Sequence, residues 1–102
     1  MFRLMLIVAL TTAPGLARAE PTTGARLAAT CAACHGTAGN TQGSTLPRLA
    51  GQSQQTLSAT LHAFKTGQRE STIMTQIAKG YTDEQLELLA AYFAAQKTGG
   101  RP

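Results

Sequence analysis

The feature that most constrains this chain is a pair of cysteines followed directly by a histidine. Residues 31–35 read Cys-Ala-Ala-Cys-His, so the two thiols are three positions apart. On a helical turn, positions i and i+3 share a face, which lets Cys31 and Cys34 reach two points of one porphyrin. This spacing is typical of covalent haem attachment, in which each cysteine forms a thioether with a vinyl group. His35 would then lie beneath the ring, where an imidazole nitrogen can bind iron.

The N-terminus has the composition of a secretory signal peptide. Arg3 supplies a short positive region, residues 4–10 form an unbroken apolar run, and residues 17–19 read Ala-Arg-Ala. A small-x-small triplet of this kind is a cleavage site, so we predict a signal peptide over residues 1–19 and a periplasmic domain over residues 20–102. The apolar run is far shorter than the ~20 residues that span a bilayer, which disfavours the alternative of a retained membrane anchor. The mature chain shows no further pattern that predicts a membrane span.

The predicted mature domain is small and nearly neutral. The full chain has a net charge of +4, and removal of Arg3 and Arg18 with the signal peptide lowers it by two. Two haem propionates would bring the charge close to zero, and no stripe of basic and aromatic residues is present, so nucleic acid is not expected as a partner. Because a domain of this size buries little surface by itself, we expect an apolar cofactor to form the centre of its core.

The residue pattern predicts helices and loops, with no convincing strand. A first helix is expected from Thr23 into the 31–35 motif, and a second over residues 54–66, where apolar residues recur at helical spacing. Glycines and a proline indicate a loop over residues 36–51, and residues 67–80 are expected to form another loop.

A capping box predicts where the third helix begins. Thr82 is followed three positions later by Gln85, and this pair can satisfy two backbone N–H groups at a helix N-terminus. The apolar residues that follow recur at helical spacing, which predicts an amphipathic helix. Lys97 is expected to interact with the negative end of the helix dipole, and the pair Gly99-Gly100 to end the helix.

Five stretches carry the remaining information: residues 31–36 (CAACHG), 47–52 (PRLAGQ), 64–67 (FKTG), 71–74 (STIM) and 78–81 (AKGY). In these stretches the chain resembles the monohaem class I c-type cytochromes, and the resemblance covers essentially the whole mature domain. Within that class it is most similar to small bacterial periplasmic cytochromes, including the haem subunit of flavocytochrome c sulfide dehydrogenases. The resemblance implies an all-α fold, in which three main helices and loops wrap around one covalently attached haem c.

Met74 is the expected sixth ligand of the iron. Removal of Met1 and Met5 with the signal peptide leaves it as the only methionine of the mature chain, and it occupies the position that the family uses. A thioether is a soft, neutral ligand that favours reduced iron and raises the potential. Two alternatives stay open: Met74 as an ordinary core residue, and His62, inside the second helix, as the ligand in its place.

The resemblance also implies groups around the haem. In class I cytochromes a loop proline carbonyl accepts the N–H of the proximal histidine, and Pro47 matches that proline; such hydrogen bonds orient the ring and tune its basicity. Arg48 is a candidate partner of a haem propionate, the alternative being a solvated side chain. Thr56 stands where relatives commonly have tyrosine, which puts a tyrosine–propionate hydrogen bond from that helix in doubt. Tyr81 and Tyr92 are interpreted as packing residues.

Two other classes of site fit the cysteines less well. A Cys-x-x-Cys pair also occurs in thiol–disulfide oxidoreductases, but that chemistry usually needs a βαβ scaffold, and no strand pattern appears here. Cys31, Cys34, His35 and His62 together offer four zinc ligands, although the adjacent Cys34 and His35 suit tetrahedral coordination poorly.

The predicted function is one-electron transfer rather than catalysis. With His35 and Met74 on the two sides of the iron, a substrate would not reach it, so any enzymatic activity would belong to a partner. The resemblance implies a flavoprotein sulfide dehydrogenase as that partner, and the alternative is a free shuttle to a terminal oxidase or reductase. Docking is expected at an apolar patch near the haem edge that includes Ala33, Ile73 and Ala78.

Overall fold

The structure, a computed structural model, describes residue 15 and residues 21–43 and 45–99. This part of the chain contains five α-helices and two 3-10 turns but no β-strand. The helices are α1 (Thr23–Ala28), α2 (Ala32–His35), α3 (Gln54–Thr66), α4 (Met74–Lys79) and α5 (Asp83–Ala94), and the turns are Ala29–Cys31 and Thr37–Gly39. The predicted all-α fold is confirmed. The predicted signal peptide, residues 1–19, lies outside the described residues except for Gly15.

Two predicted helices occur at the expected residues, and local capping explains where they begin. α1 starts after Thr22, whose hydroxyl accepts a hydrogen bond from Ala25 N at 3.2 Å, and the helical path continues through a 3-10 turn and α2 to His35. α3 starts after Ser53, whose hydroxyl caps its first turn, and it stops at Gly67, which has a left-handed conformation. α3 therefore begins directly after a residue that favours helix initiation and ends directly before one that favours helix termination.

The region predicted as a second loop contains a helix, so that prediction was wrong. α4 occupies part of residues 67–80, and Met74 is its first residue rather than a loop residue. The N-cap of this six-residue helix is Ile73, which makes no side-chain hydrogen bond there. Ser71 supplies the cap from further back, because its hydroxyl accepts from Thr75 N at 2.8 Å. A helix so short, with an apolar N-cap, leaves no periodic signal in the sequence.

The third predicted helix begins as expected and ends early. Thr82 Oγ1 accepts from Gln85 N at 3.1 Å, and Gln85 Oε1 accepts from Thr82 N at 2.9 Å, which confirms the capping box. The helix ends at Ala94, before the glycine pair that the sequence suggests as its end. Lys97 therefore lies in a C-terminal tail beyond the last helical turn, where the dipole falls off.

The core forms where α5 packs on α1 and α3. Its buried apolar members are Ala28, Leu57, Leu86, Leu89, Ala90 and Phe93. α1 and α5 approach closely at Gly24, where an added Cβ would lie 3.0 Å from Leu88 O and 3.2 Å from Tyr92 Cβ. α3 packs on α5 and also on α4, so the helix that carries Met74 is supported through α3.

The loop between α2 and α3 is closed at a narrow neck. Gly39 O accepts hydrogen bonds from Leu49 N at 2.9 Å and from Ala50 N at 3.1 Å, and we call this pairing the neck. Gly51 N donates to Phe93 O at 3.0 Å, which ties the end of the loop to α5. The chain directly after α2 and the chain that leads to α3 therefore lie side by side, as in the compact loops that often carry function.

Candidate haem-binding site

The two cysteines lie in one helical stretch, and neither forms a disulfide. Cys31 ends a 3-10 turn with right-handed helical dihedral angles (φ −72°, ψ −22°), and Cys34 lies in α2. A helical backbone from one to the other places both sulfurs on the same face. Cys31 is half-buried and Cys34 is exposed. Both thiols are therefore available to form thioethers with a single planar group.

The ionisation of Cys31 is unlike that of a redox-active thiol. Burial raises the pKa of the Cys31 thiol, an effect larger than the opposing hydrogen bond with the Thr30 side chain. A thiol with a raised pKa stays protonated at neutral pH and is a poor nucleophile toward disulfides. This property counts against the alternative of a thiol–disulfide oxidoreductase.

His35 is buried, and its ring orientation is fixed by the loop. Its side chain lies at the end of α2 with the residue only 7 % exposed, and Nδ1 is 2.9 Å from Pro47 O. A carbonyl oxygen can only accept, so Nδ1 carries the proton and Nε2 is the ring nitrogen not engaged by Pro47. The histidine and the proline that the resemblance pairs are thus in contact. Two thiols on one face and an oriented imidazole beside them make a donor set that fits covalently bound haem.

The turn directly after His35 leaves no room for a side chain. Gly36 has φ of +79° and ends α2, and an added Cβ there would lie 2.1 Å from Asn40 O. A glycine is required on both counts, because other residues rarely adopt this conformation and the backbone approaches too closely.

Met74 lies on a separate element from the cysteine motif. It is half-buried at the start of α4, and its neighbours Ile73 and Ile77 are 58 % and 37 % exposed. These two isoleucines give this side of the molecule an exposed apolar character. The structure thus places a thioether next to an exposed apolar surface.

One residue of the expected docking patch is misplaced by the sequence analysis. Ala33 and Ile73 are exposed, as docking requires. Ala78 is only 1 % exposed, because it lies on the inner face of α4, so its assignment to the patch was wrong. The short helix at residues 74–79 was not foreseen, and without it the direction of this side chain could not be deduced.

Arg48 and Thr56 both lie at the surface. The Arg48 residue is exposed, and its backbone carbonyl accepts a hydrogen bond from Gln52 Nε2. Thr56 is exposed in the first turn of α3, where its hydroxyl accepts from Ser53 Oγ at 2.7 Å. Because Arg48 is exposed next to Pro47, its side chain is able to contact a bound carboxylate. The Thr56 hydroxyl is instead hydrogen-bonded at the N-terminus of α3.

His62 belongs to a polar cluster on the outer surface of α3 and α5, which we call the outer cluster. Its Nε2 is 2.9 Å from Glu87 Oε1, and its Nδ1 is 3.7 Å from Asp83 Oδ1. Lys65 Nζ lies 2.8 Å from the same Asp83 oxygen, and Ser58 donates to Glu87. His62 therefore pairs with carboxylates of α5 rather than with the cysteines. Among the described residues, no three His, Cys, Asp or Glu side chains are grouped so that they could hold a metal ion, and the zinc alternative finds no support.

The carboxyl groups of the outer cluster are shifted toward the charged form. The hydrogen bond and charge of Lys65 lower the pKa of Asp83. The Ser58 hydroxyl, followed by His62, lowers the pKa of Glu87.

Tyr81 links the end of α4 to the segment before Cys31. Its hydroxyl is 3.0 Å from Thr30 Oγ1 and 3.5 Å from Leu27 O. The tyrosine is half-buried and packs against the core, so the packing role holds, but the specific partner Thr30 was missed because it is 51 positions away. Tyr92 packs edge-on against Phe93, with ring centroids 5.1 Å apart.

Asn40 is a second residue that the sequence analysis missed. It is buried, with only 6 % exposed, and its amide pairs with the C-terminal tail, donating to Lys97 O and accepting from Gly99 N. The only signal in the sequence is an asparagine inside a glycine-rich loop, which by itself indicates a turn.

None of the helices that the structure describes combines the length and the apolar character needed to cross a bilayer.

Residues 21–97 match the family model described as Cytochrome c. The chain is 46 % identical over 67 residues to the cytochrome subunit of sulfide dehydrogenase from Chlorobaculum tepidum, covering 66 % of this chain and 60 % of that protein. It is 41 % identical over 96 residues to cytochrome c4 from Pseudomonas aeruginosa, covering 92 % of this chain and 46 % of that protein. It is 39 % identical over 71 residues to cytochrome c-554(548) from Halomonas halodenitrificans, covering 67 % and 86 %.

The chain thus spans about half the length of the cytochrome c4 relative and somewhat more of the sulfide dehydrogenase subunit. The family match begins two residues before α1 and runs to residue 97, so it covers every helix described above. It confirms the resemblance, and with it the expected cofactor, haem c. The chain belongs to the cytochrome c family, as a monohaem class I c-type cytochrome of all-α fold with its haem covalently bound.

Proposed function

We propose that this protein carries single electrons through one haem c, attached to Cys31 and Cys34 and ligated by His35 and Met74. The observation that carries the proposal is the 2.9 Å hydrogen bond between His35 Nδ1 and the Pro47 carbonyl. His35 itself comes directly after the second of two free thiols that share one helical face. A metal-binding histidine almost always donates its other ring N–H to such an acceptor.

The chain's own residues set the properties of the site. When bound, the haem supplies a one-electron couple of its iron. The Pro47 carbonyl keeps His35 in one tautomer and makes its imidazole a more basic ligand. Met74 provides a neutral thioether, which favours reduced iron. Arg48 is proposed to pair with a propionate through its guanidinium group. With both ligand positions taken by side chains, the protein transfers electrons and does not process substrates.

The protein is further proposed to act in the periplasm after cleavage of residues 1–19. The positive Arg3, the apolar run and the Ala-Arg-Ala triplet support export. Expression of the full chain in a bacterium that attaches haem should yield periplasmic protein whose N-terminal residue is Glu20. Recovery only as full-length chain in the membrane fraction would contradict the cleavage.

The partner is proposed to be a sulfide-oxidising flavoprotein that passes its electrons to this chain. Its support is the 46 % identity to a cytochrome subunit of sulfide dehydrogenase. A second candidate is a free electron shuttle, and the match over 86 % of the small cytochrome c-554(548) favours it. The near-neutral charge expected of the mature haem protein steers neither kind of encounter strongly, so the two candidates are separated by experiment.

The ligand set is tested by absorption spectroscopy of Met74→Ala, with His62→Ala as the matched control. Wild type should show a Soret band that survives denaturing extraction, and a low-spin spectrum in both redox states. Met74→Ala should lower the midpoint potential and bind carbon monoxide readily, because the sixth position opens. His62→Ala should retain the wild-type spectrum. A low-spin spectrum in Met74→Ala together with an altered spectrum in His62→Ala would assign the sixth ligand to His62 instead.

The partner is tested by isolation from the native host, followed by reduction assays. A subunit should co-elute with a flavin-absorbing chain and become reduced when sulfide is added. A shuttle should elute alone at the mass of one small domain and stay oxidised with sulfide until a separate enzyme is supplied. A flavin-free monomer that no flavoprotein of the host reduces would refute the subunit role.

A further inference from the structure

Within residues 21–43 and 45–99, Asn40 is the one buried polar residue besides His35. Its Nδ2 donates to Lys97 O at 3.1 Å, and its Oδ1 accepts from Gly99 N at 2.9 Å. The amide therefore uses a donor and an acceptor on backbone groups two residues apart in the tail. Substitution would remove both hydrogen bonds, and each hydrogen bond of this kind contributes roughly 1 kcal/mol to stability.

The backbone of Asn40 is fixed to the turn after His35. Asn40 N donates to Thr37 O at 3.0 Å, and Asn40 O lies so close to Gly36 that a Cβ there would be 2.1 Å away. Asn40 and the residue that follows His35 therefore cannot move independently.

The neck continues this connection to the proline. Gly39, the residue before Asn40, accepts both N–H groups of residues 49–50 through one carbonyl. Those residues follow Pro47 by two and three positions, and the Pro47 carbonyl accepts the His35 Nδ1 proton at 2.9 Å. Asn40 thus stands where the two ends of the loop and the C-terminal tail meet.

We propose that Asn40 is a positioning residue for His35: by fastening tail residues 97–99 to the neck, it holds the Pro47 carbonyl at hydrogen-bond distance from Nδ1. This inference rests on the proposed role of His35 as the proximal ligand. A shorter or better aligned Nδ1–H···O bond makes the imidazole a stronger donor to ferric iron, which lowers the midpoint potential. Asn40 therefore tunes the potential without touching the cofactor.

The matched comparison uses Asn40→Ala and Thr82→Ala in the haem-loaded protein. Thr82→Ala removes the α5 capping box, far from the neck in the hydrogen-bond network, and lowers stability by loss of a cap. Both variants should lower the unfolding temperature. Asn40→Ala alone should raise the midpoint potential and speed exchange of the His35 Nδ1 proton at least tenfold, measured by NMR of the ferrous protein. Equal potentials and equal exchange rates in the two variants would overturn the positioning role.

A second variant removes the partners and keeps Asn40. Deletion of residues 97–102 should reproduce the potential shift, and Asn40→Ala added to the deletion should shift it no further, because both changes break the same contact. Additive shifts would refute the tail as the route of the effect. If Asn40→Ala does not load haem, the deletion variant alone decides by the same two measurements. A wild-type protein without haem absorption would instead refute the proposed function itself.

Discussion

The two sides of the proposed haem site are built in different ways. On the His35 side the main chain fixes the geometry, through the neck at Gly39 and through the Pro47 carbonyl. On the Met74 side the chain forms a six-residue helix that is capped by one serine hydroxyl, with an exposed isoleucine directly before it and another within it. The geometry of the first side is determined by backbone hydrogen bonds and by Gly36, where a side chain would clash with the backbone. The second depends on side chains and on support from α3, so point substitutions should alter it more gradually.

The largest effect is expected from Gly36→Ala on the His35 side, with Gly67→Ala as control. The two glycines have nearly equal φ angles, +79° and +78°, but only Gly36 has a neighbour in the way; a Cβ at Gly67 meets nothing within 4 Å. Gly67→Ala should cost about 1 kcal/mol of unfolding free energy through backbone strain alone. Gly36→Ala should cost about 3 kcal/mol, because overpacking adds to the strain. Urea unfolding of both haem-loaded variants measures the difference, and equal losses would show that the turn relaxes freely.

A smaller effect is expected where the Met74 side is fastened to the cysteine segment. Tyr81→Phe removes the hydroxyl that contacts Thr30 Oγ1 and should cost about 1 kcal/mol, the value of one hydrogen bond. A double-mutant cycle with Thr30→Val isolates the pair, since the two losses should not add. Strict additivity would mean that this hydrogen bond does not hold α4 to the segment before Cys31.

The smallest effect is expected in the outer cluster, which lies on α3 and α5. The pKa values of Asp83 and Glu87 are lowered in the folded protein, by Lys65 and by Ser58 with His62 respectively. The charged Asp83 and Glu87 stabilise the fold fully above the pKa of the unfolded carboxyls, about 4. This stabilisation is lost as the pH falls through the lower pKa values of the folded protein. The unfolding temperature should therefore decline below about pH 4.

Glu87→Gln tests this assignment against Glu84→Gln on the same helix. The Glu87 variant should unfold at a slightly lower temperature at pH 7 and show a shallower acid decline. The Glu84 variant keeps both carboxylates of the outer cluster and should therefore keep the acid decline. Identical acid curves for the two variants would place the pH dependence elsewhere. The effect should be modest, because exposed pairs are screened by solvent.

The sequence predicted the elements that are coded locally and missed those that depend on distant partners. α3 and the Thr82–Gln85 capping box were found because periodicity and caps act within a few residues. α4 was missed because its cap is displaced to Ser71 and it is too short to show a period. The misplacement of Ala78 followed from that. Within the site, the contact of His35 with Pro47 was implied by family resemblance, since no rule of spacing alone predicts it.

Asn40 shows the limit most clearly. Its partners Lys97 and Gly99 are 57 and 59 positions away, and nothing near Asn40 in the sequence points to them. Propensity explains an asparagine in a turn, but it cannot show that the side chain is buried.

The close contact of Gly24 with Leu88 and Tyr92 has a consequence for how the chain matures. α1, near the start of the described domain, packs on α5, near its end, so the core cannot close until nearly all of the chain has been made. Until α1 and α5 meet, the cysteine motif belongs to a chain that lacks its partner helix. With the proposed export, haem would be attached to this open chain in the periplasm, and the two ends of the domain would pack together afterwards.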